Sequence, residues 1–520
     1  MAPRSHSWTA PGPARSSLTL VSRLKRRLPR PSEVAQFVGP TFRRRNRDRW
    51  SRVRTVADFR NLALRRTPRA VFDYVDGAAE LELSCARAVD AFTRVVFSPH
   101  VLRDVSAVDP STTILGRGVA MPVVFGPTGF TRMMHAEGEP AVARAAGLAG
   151  IPYTLSTLGT TSIERLAAEA PDTNRWFQLY VSKDRGWSGE LIDRVADGGY
   201  TALVLTVDVA VAGARHRDIY NGLTMPPSLT PRTLLGMIRK PRWLFDVLST
   251  EPLAFEALGT AGDDVMGLMN KVFDPTVTLA DLDWVRTRWD GPIVIKGVQR
   301  VDDAVEVVSA GADAVAVSNH GGRQLDRAAT PLELLPSVVD AVGDMAEVYL
   351  DGGVRSGADV AAAIALGARA AFVGRPYLYA LMAGGEAGVN HLAKLLRDDY
   401  VRTLKLLGVT STGELDRDLV SLASTSPVDL EVKRFETAHV LGDRRLGGEA
   451  LHRGCAEEAA DALRSLEHVG GGVGLGDRPA VAEDQDVRVH RGRGVAHFLD
   501  EADAVVDRLG RLRADRAAHR

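Results

Sequence analysis

A histidine and an arginine three residues apart, in Ser318-Asn319-His320-Gly321-Gly322-Arg323-Gln324-Leu325-Asp326, form the pair whose types and spacing best suit chemistry. Histidine takes a proton near neutral pH. Arginine holds a carboxylate through two parallel hydrogen bonds. Together they suit an acid substrate that loses a proton next to its carboxylate. A single histidine of this kind is more often structural, so the reading depends on what surrounds it.

Asp313-Ala-Val-Ala-Val317, just before the histidine, is short, apolar and β-branched, as a buried strand is. Seven similar runs occur: 121–126, 151–155, 176–181, 201–207, 292–296, 347–351 and 370–374. Helical stretches separate them, among them 138–150, 162–170, 302–310, 332–342 and 358–366. Strands alternating with helices predict a parallel sheet, and eight units predict an α/β fold closed as a (β/α)8 barrel. A doubly wound open sheet lacks the strand–GxGxxG–helix unit it would need.

A barrel places chemistry where its strands stop. The strand ends carry Pro127, Thr128 and Gly129; Ser156; Gln178 and Tyr180; Thr206 and Asp208, with Arg215 beyond; Lys296; Ser318, His320 and Arg323; Asp351, Gly352, Gly353 and Arg355; and Gly374 and Arg375. A structural scaffold has no need of a polar or glycine-rich end on every strand. The last two ends, with glycines and two arginines, predict a phosphate-bearing ligand. Ser156, Gln178, Thr206 and Lys296 would lie beneath a flat polar ring, with Lys296 stabilising negative charge developing on it.

The flanking regions read differently. Residues 1–54 are basic, with seven arginines between Arg43 and Arg54, and predict a solvated arm. A helix is expected from Thr55, and another over Ala70–Glu80 broken at Gly77. Tyr74 on the second is either a core aromatic or a hydroxyl lining the site. Between the fourth and fifth strands, Pro231–Leu248 mixes apolar residues with Arg and Lys, as an amphipathic helix at a membrane surface does. Residues 425–520 hold six of the twelve histidines and two phenylalanines as their only aromatics. They predict an extension of low order with no metal-ligand spacing.

Composition excludes several classes. Hydrophobic residues are 45%, charged residues 25%, and the net charge is zero, so no global field favours nucleic acid. Cys85 and Cys455 form no disulfide framework. No stretch approaches the ~20 apolar residues of a spanning helix. The expected location is cytoplasmic, with contact at the inner membrane face.

The nonapeptide, together with Leu350-Asp-Gly-Gly-Val-Arg355 and Phe372-Val-Gly-Arg-Pro376, resembles the FMN-dependent 2-hydroxy acid dehydrogenase/oxidase family over Thr55 to Val420. Arg66-Thr-Pro-Arg-Ala70, Pro127-Thr-Gly-Phe-Thr131, Val211-Ala-Gly-Ala-Arg215 and Leu381–Val389 most resemble the respiratory, quinone-linked L-lactate dehydrogenases of bacteria. The resemblance implies a barrel over residues 55–424, FMN as cofactor and a homotetramer. It implies oxidation of an L-2-hydroxy acid, lactate above all, to the 2-oxo acid, with electrons passed to a quinone. His320 would be the base, Asp208 its partner, and Tyr180 a hydrogen-bonding partner of the substrate oxygen. Arg323, Arg215 and Tyr74 would hold the carboxylate. Pro127, Thr128, Gly129, Ser156, Gln178, Thr206, Lys296 and Ser318 would surround the flavin ring. Asp351, Gly352, Gly353, Arg355, Gly374 and Arg375 would hold its ribityl phosphate. Glycolate oxidases carry Trp where Leu158 stands, so Leu158 would admit a methyl group or larger. The same motifs fit an oxidase that reduces O2 to H2O2, and a non-catalytic flavin-binding barrel.

Overall fold

The computed structural model describes residues 50–223, 230–251, 253–256 and 272–423. The expectations for residues 1–49 and 425–520 lie outside them. Eight strands close into a parallel barrel: β1 (Val123–Phe125), β2 (Tyr153–Ser156), β3 (Arg175–Leu179), β4 (Ala202–Thr206), β5 (Ile293–Val298), β6 (Ala314–Ser318), β7 (Glu347–Asp351) and β8 (Ala370–Val373). Each pairs with its neighbours in chain order, and β8 returns to β1.

Alternation along the strands explains both core and mouth. One set of side chains fills the barrel interior: Val124, Trp176, Val204, Val294, Ala316, Tyr349 and Phe372. Trp176, Tyr349 and Phe372 meet there with ring centroids 5.9–6.2 Å apart. The alternate set, including Leu203, Leu205, Ile293, Ile295, Val315 and Val317, packs outward against the helices. Successive side chains point to opposite faces, so residues two apart share one. Two positions beyond the apolar interior stand Gln178, Thr206, Lys296, Ser318, Asp351 and Gly374. The register that fills the barrel thus also turns these residues into its mouth. At the other end a small hairpin, Thr112–Ile114 with Arg117–Val119, adds Ile114 and Val119 to the interior cluster.

Before the barrel, α1 (Val56–Arg66) starts at a capping box between Thr55 and Asp58. Helix α2 (Arg69–Asp76) ends at Gly77, where the break was expected. The stretch Pro231–Leu248 is corrected: it forms two helices, α3 (Pro231–Ile238) and α4 (Pro241–Leu248). Pro241 has no N–H to continue the first helix but suits the first turn of the second. Trp243 does not belong to an exposed apolar face. It is buried, and its indole N–H donates to the Met133 carbonyl at 3.0 Å.

Candidate active site

A cavity of about 590 Å³ opens at the C-terminal ends of the strands. Every residue expected at the site lines it except Asp208 and Ser318, which stand directly behind lining residues.

His320 follows β6 with a positive φ of 57°, and Gly321 and Gly322 continue at 63° and 73°. Such backbone is costly for a residue with a Cβ. It is held by Ser318 Oγ, which accepts from the His320 N–H at 2.9 Å, and by Asn319 Oδ1, which accepts from the Gly322 N–H at 3.1 Å. The turn brings His320 Nδ1 to 2.9 Å from Asp208 Oδ1. A carboxylate only accepts, so Nδ1 carries a proton, and in the neutral ring Nε2 keeps a lone pair. Nε2 has no partner among the described residues. Asp208 fits against β5 because residue 297 is glycine: a Cβ there would lie 2.6 Å from the Asp208 carboxyl carbon. Burial pushes the Asp208 carboxyl up, but the positive charge His320 carries once protonated, the hydrogen bond between them and Lys296 behind hold it below its ordinary range.

Beside this pair lies a positive corner. Arg323 Nη1 donates to the carbonyls of Tyr74 at 2.6 Å and Gly77 at 3.2 Å. Its Nε and Nη2 have no partner among the described residues. Its guanidinium lies 5.0 Å from the Tyr74 ring centroid, and that of Arg215 lies 5.7 Å from it. Burial, and then the charge of Arg215, lower the pKa of Arg323 to about 10. Arg215 Nε meets Asp218 Oδ2 at 3.0 Å. Tyr180 reaches the same corner, with its hydroxyl pushed well above the ordinary range by burial and then by the Asp208 charge.

The floor is polar and incompletely paired. Ser156 Oγ donates to Gln178 Oε1 at 3.1 Å, while Gln178 Nε2 and Thr206 Oγ1 are buried without a partner. Lys296 Nζ lies 2.6 Å from Asp351 Oδ2 and 3.1 Å from Ser318 Oγ. Thr128 Oγ1 and the Gly126 carbonyl both bond the Tyr377 hydroxyl at 2.7 Å, fixing the loop after β1. Gly353, at φ 84°, passes so close to Ala88 that a Cβ would lie 2.1 Å from its carbonyl oxygen. Burial, and the nearby charge of Arg375, hold Arg355 below its ordinary range. An unpaired donor over a polar floor, with a cationic, glycine-lined edge, fits a flat polar ring carrying a phosphate.

Sequence reasoning missed several features. Arg375 donates to the carbonyls of Val75, Gly321 and Gly77 at 2.8–2.9 Å, so it also ties α2 to the loop after β6. Asp326, within the nonapeptide, accepts from the backbone N–H groups of Leu81, Leu83 and Ser84. Phe130 and Phe273 line the cavity, and Gln324 bridges two loops. Partners more than a hundred residues apart leave no local pattern. The glycines of the nonapeptide were the available signal for tight packing there.

A family model described as FMN-dependent dehydrogenase matches residues 63–422. The chain belongs to this family. It is an FMN-dependent oxidoreductase acting on 2-hydroxy acids. A Mycobacterium tuberculosis protein provisionally named L-lactate dehydrogenase is 50% identical over 409 residues, 78% of this chain and 99% of that one. L-Lactate dehydrogenase of Caulobacter vibrioides is 43% identical over 376 residues, 71% of this chain and 98% of that one. Among solved structures, the monotopic membrane protein (S)-mandelate dehydrogenase aligns with a TM-score of 0.69 at 37% identity, over 72% of this chain and 100% of that one.

Proposed function

We propose that the enzyme oxidises L-lactate to pyruvate and delivers the electrons to a membrane quinone. The observation that carries the reading is the free His320 Nε2, backed by Asp208 and set beside the unpaired Arg323 edge. The polar floor and the cationic, glycine-lined edge of the cavity support a flavin ring over Ser156, Gln178, Thr206 and Lys296, with its phosphate at Gly352, Gly353, Arg355 and Gly374. FMN supplies the two-electron sink that no side chain provides.

The side chains do the rest. Arg323 and Arg215 hold the carboxylate with its α-carbon facing His320. His320 Nε2 takes one of the two hydrogens as a proton, the second hydrogen and the two electrons would go to the cofactor, and Asp208 stabilises the resulting imidazolium. Tyr180 donates to the substrate oxygen, and its raised pKa keeps the hydroxyl protonated. Leu158 borders the space for the substrate side chain.

The acceptor reading rests on the region after β4. Leu234, Leu235, Ile238, Phe245 and Leu248 are exposed there, with Arg239 and Arg242 exposed among them. Exposed apolar side chains beside cations suit the face of an anionic bilayer. Among the described residues no helix is long and apolar enough to cross a membrane, so attachment would be peripheral. Anaerobic flavin bleaching by a panel of 2-hydroxy acids, followed by reoxidation with a quinone analogue or with O2, tests the reading. Bleaching by L-lactate and faster reoxidation by quinone are expected. Faster reoxidation by O2 would make the protein an oxidase.

A further inference from the structure

Gln324 carries no role in the mechanism above, yet its amide joins the two loops that carry the reacting groups. One loop follows β6 and bears His320 and Arg323. The other follows β4 and runs from Asp208 to Arg215. This second loop has no regular secondary structure over residues 207–215, so its backbone groups need partners from outside. Gln324 supplies three. Its Nε2 donates to the carbonyls of Asp208 at 3.2 Å and Val211 at 2.9 Å, and its Oε1 accepts from the Gly213 N–H at 3.2 Å. The amide orientation is fixed by these partners, because a flipped amide would set oxygen against two carbonyls and NH2 against an N–H. The loops also touch through backbone: a Cβ on residue 213 would lie 2.3 Å from the Arg323 carbonyl oxygen and 2.9 Å from Gln324 Cα.

We propose that Gln324 is a positioning residue that sets two distances together, that of Asp208 from His320 and that of Arg215 from the carboxylate held by Arg323. This rests on the roles given above to those four residues. Gln324 bonds the Asp208 carbonyl itself, so losing the amide lets the carboxylate drift from the imidazole and lowers kcat. It also bonds the residues that lead to Arg215, so the same loss weakens carboxylate capture and raises KM. A displacement of about 1 Å from the reacting geometry costs on the order of 10²-fold.

The test compares Gln324→Leu with Gln324→Glu in the holoenzyme. Glu keeps the acceptor for the Gly213 N–H but loses both donors and faces two carbonyls with a carboxylate. Both variants should bind FMN, lower kcat by about 10–100-fold and raise KM for L-lactate. The two effects should separate by background. With Asp208→Asn already present, Gln324→Leu should no longer lower kcat but should still raise KM. With Arg215→Lys present, it should no longer raise KM but should still lower kcat. Such non-additivity is the mark of coupled residues. Unchanged kcat and KM per bound flavin in either variant, or simply additive losses in both backgrounds, would overturn the proposal. If the Leu variant does not fold, the Glu variant alone decides. Asp208→Asn and Arg215→Lys serve as controls. If neither impairs the reaction, the mechanism itself falls; if they impair it while Gln324→Glu does not, the positioning role alone falls.

Discussion

Replacing Arg323 by lysine keeps a positive charge and removes a shape. The structure commits Nη1 to two backbone carbonyls and leaves Nε and Nη2 without a partner among the described residues, and these form the edge that takes a carboxylate with two parallel bonds. A lysine ammonium reaches the same corner as a single point. The net loss is one charge-assisted hydrogen bond, about 1.5–3 kcal/mol. At about 1.4 kcal/mol per factor of ten, the affinity for a carboxylate ligand falls about 10–150-fold. The assay is anaerobic titration of the flavin spectrum with oxalate, which resembles the substrate but cannot be oxidised. Unchanged oxalate affinity in Arg323→Lys would place the carboxylate elsewhere.

Leu158→Trp should exclude lactate more than glycolate, and Leu158→Gly should admit larger acids, with preferences shifting about 10–200-fold in kcat/KM. Lys296→Met strands the Asp351 carboxylate in a largely buried site and should destabilise the protein by about 3–5 kcal/mol in urea, with much of the loss restored by adding Asp351→Asn. Serine at Leu234, Leu235, Ile238, Phe245 and Leu248 should release the enzyme from membranes and slow quinone reduction while sparing flavin reduction by lactate. Trp243→Ser should instead lower stability, since that side chain is buried against Met133.

The barrel was legible because the chain repeats one signal eight times: an apolar run, a polar stop and a helix. The site was legible through the same alternation. Once Val204 and Val294 face inward, Thr206 and Lys296 two residues on must face the mouth. Less was legible where pairing crosses long sequence distances. Nothing near Arg375 announces that its guanidinium clasps the end of α2, and nothing near Gln324 announces a loop more than a hundred residues earlier. The stretch Pro231–Leu248 shows a different limit. Its composition marked an amphipathic region, but Pro241 divides it and Trp243 turns inward, so composition alone does not tell which of its apolar residues are exposed.

In the proposed mechanism His320, paired through Nδ1 with Asp208, removes the substrate proton through Nε2. The most direct measurement is the anaerobic rate of flavin reduction by L-lactate in His320→Gln, compared with wild type at equal flavin content. Loss of a positioned base predicts a fall on the order of 10²–10⁴-fold, with FMN still bound and oxalate affinity largely kept. Flavin reduction at the wild-type rate in His320→Gln would show that another group takes the proton.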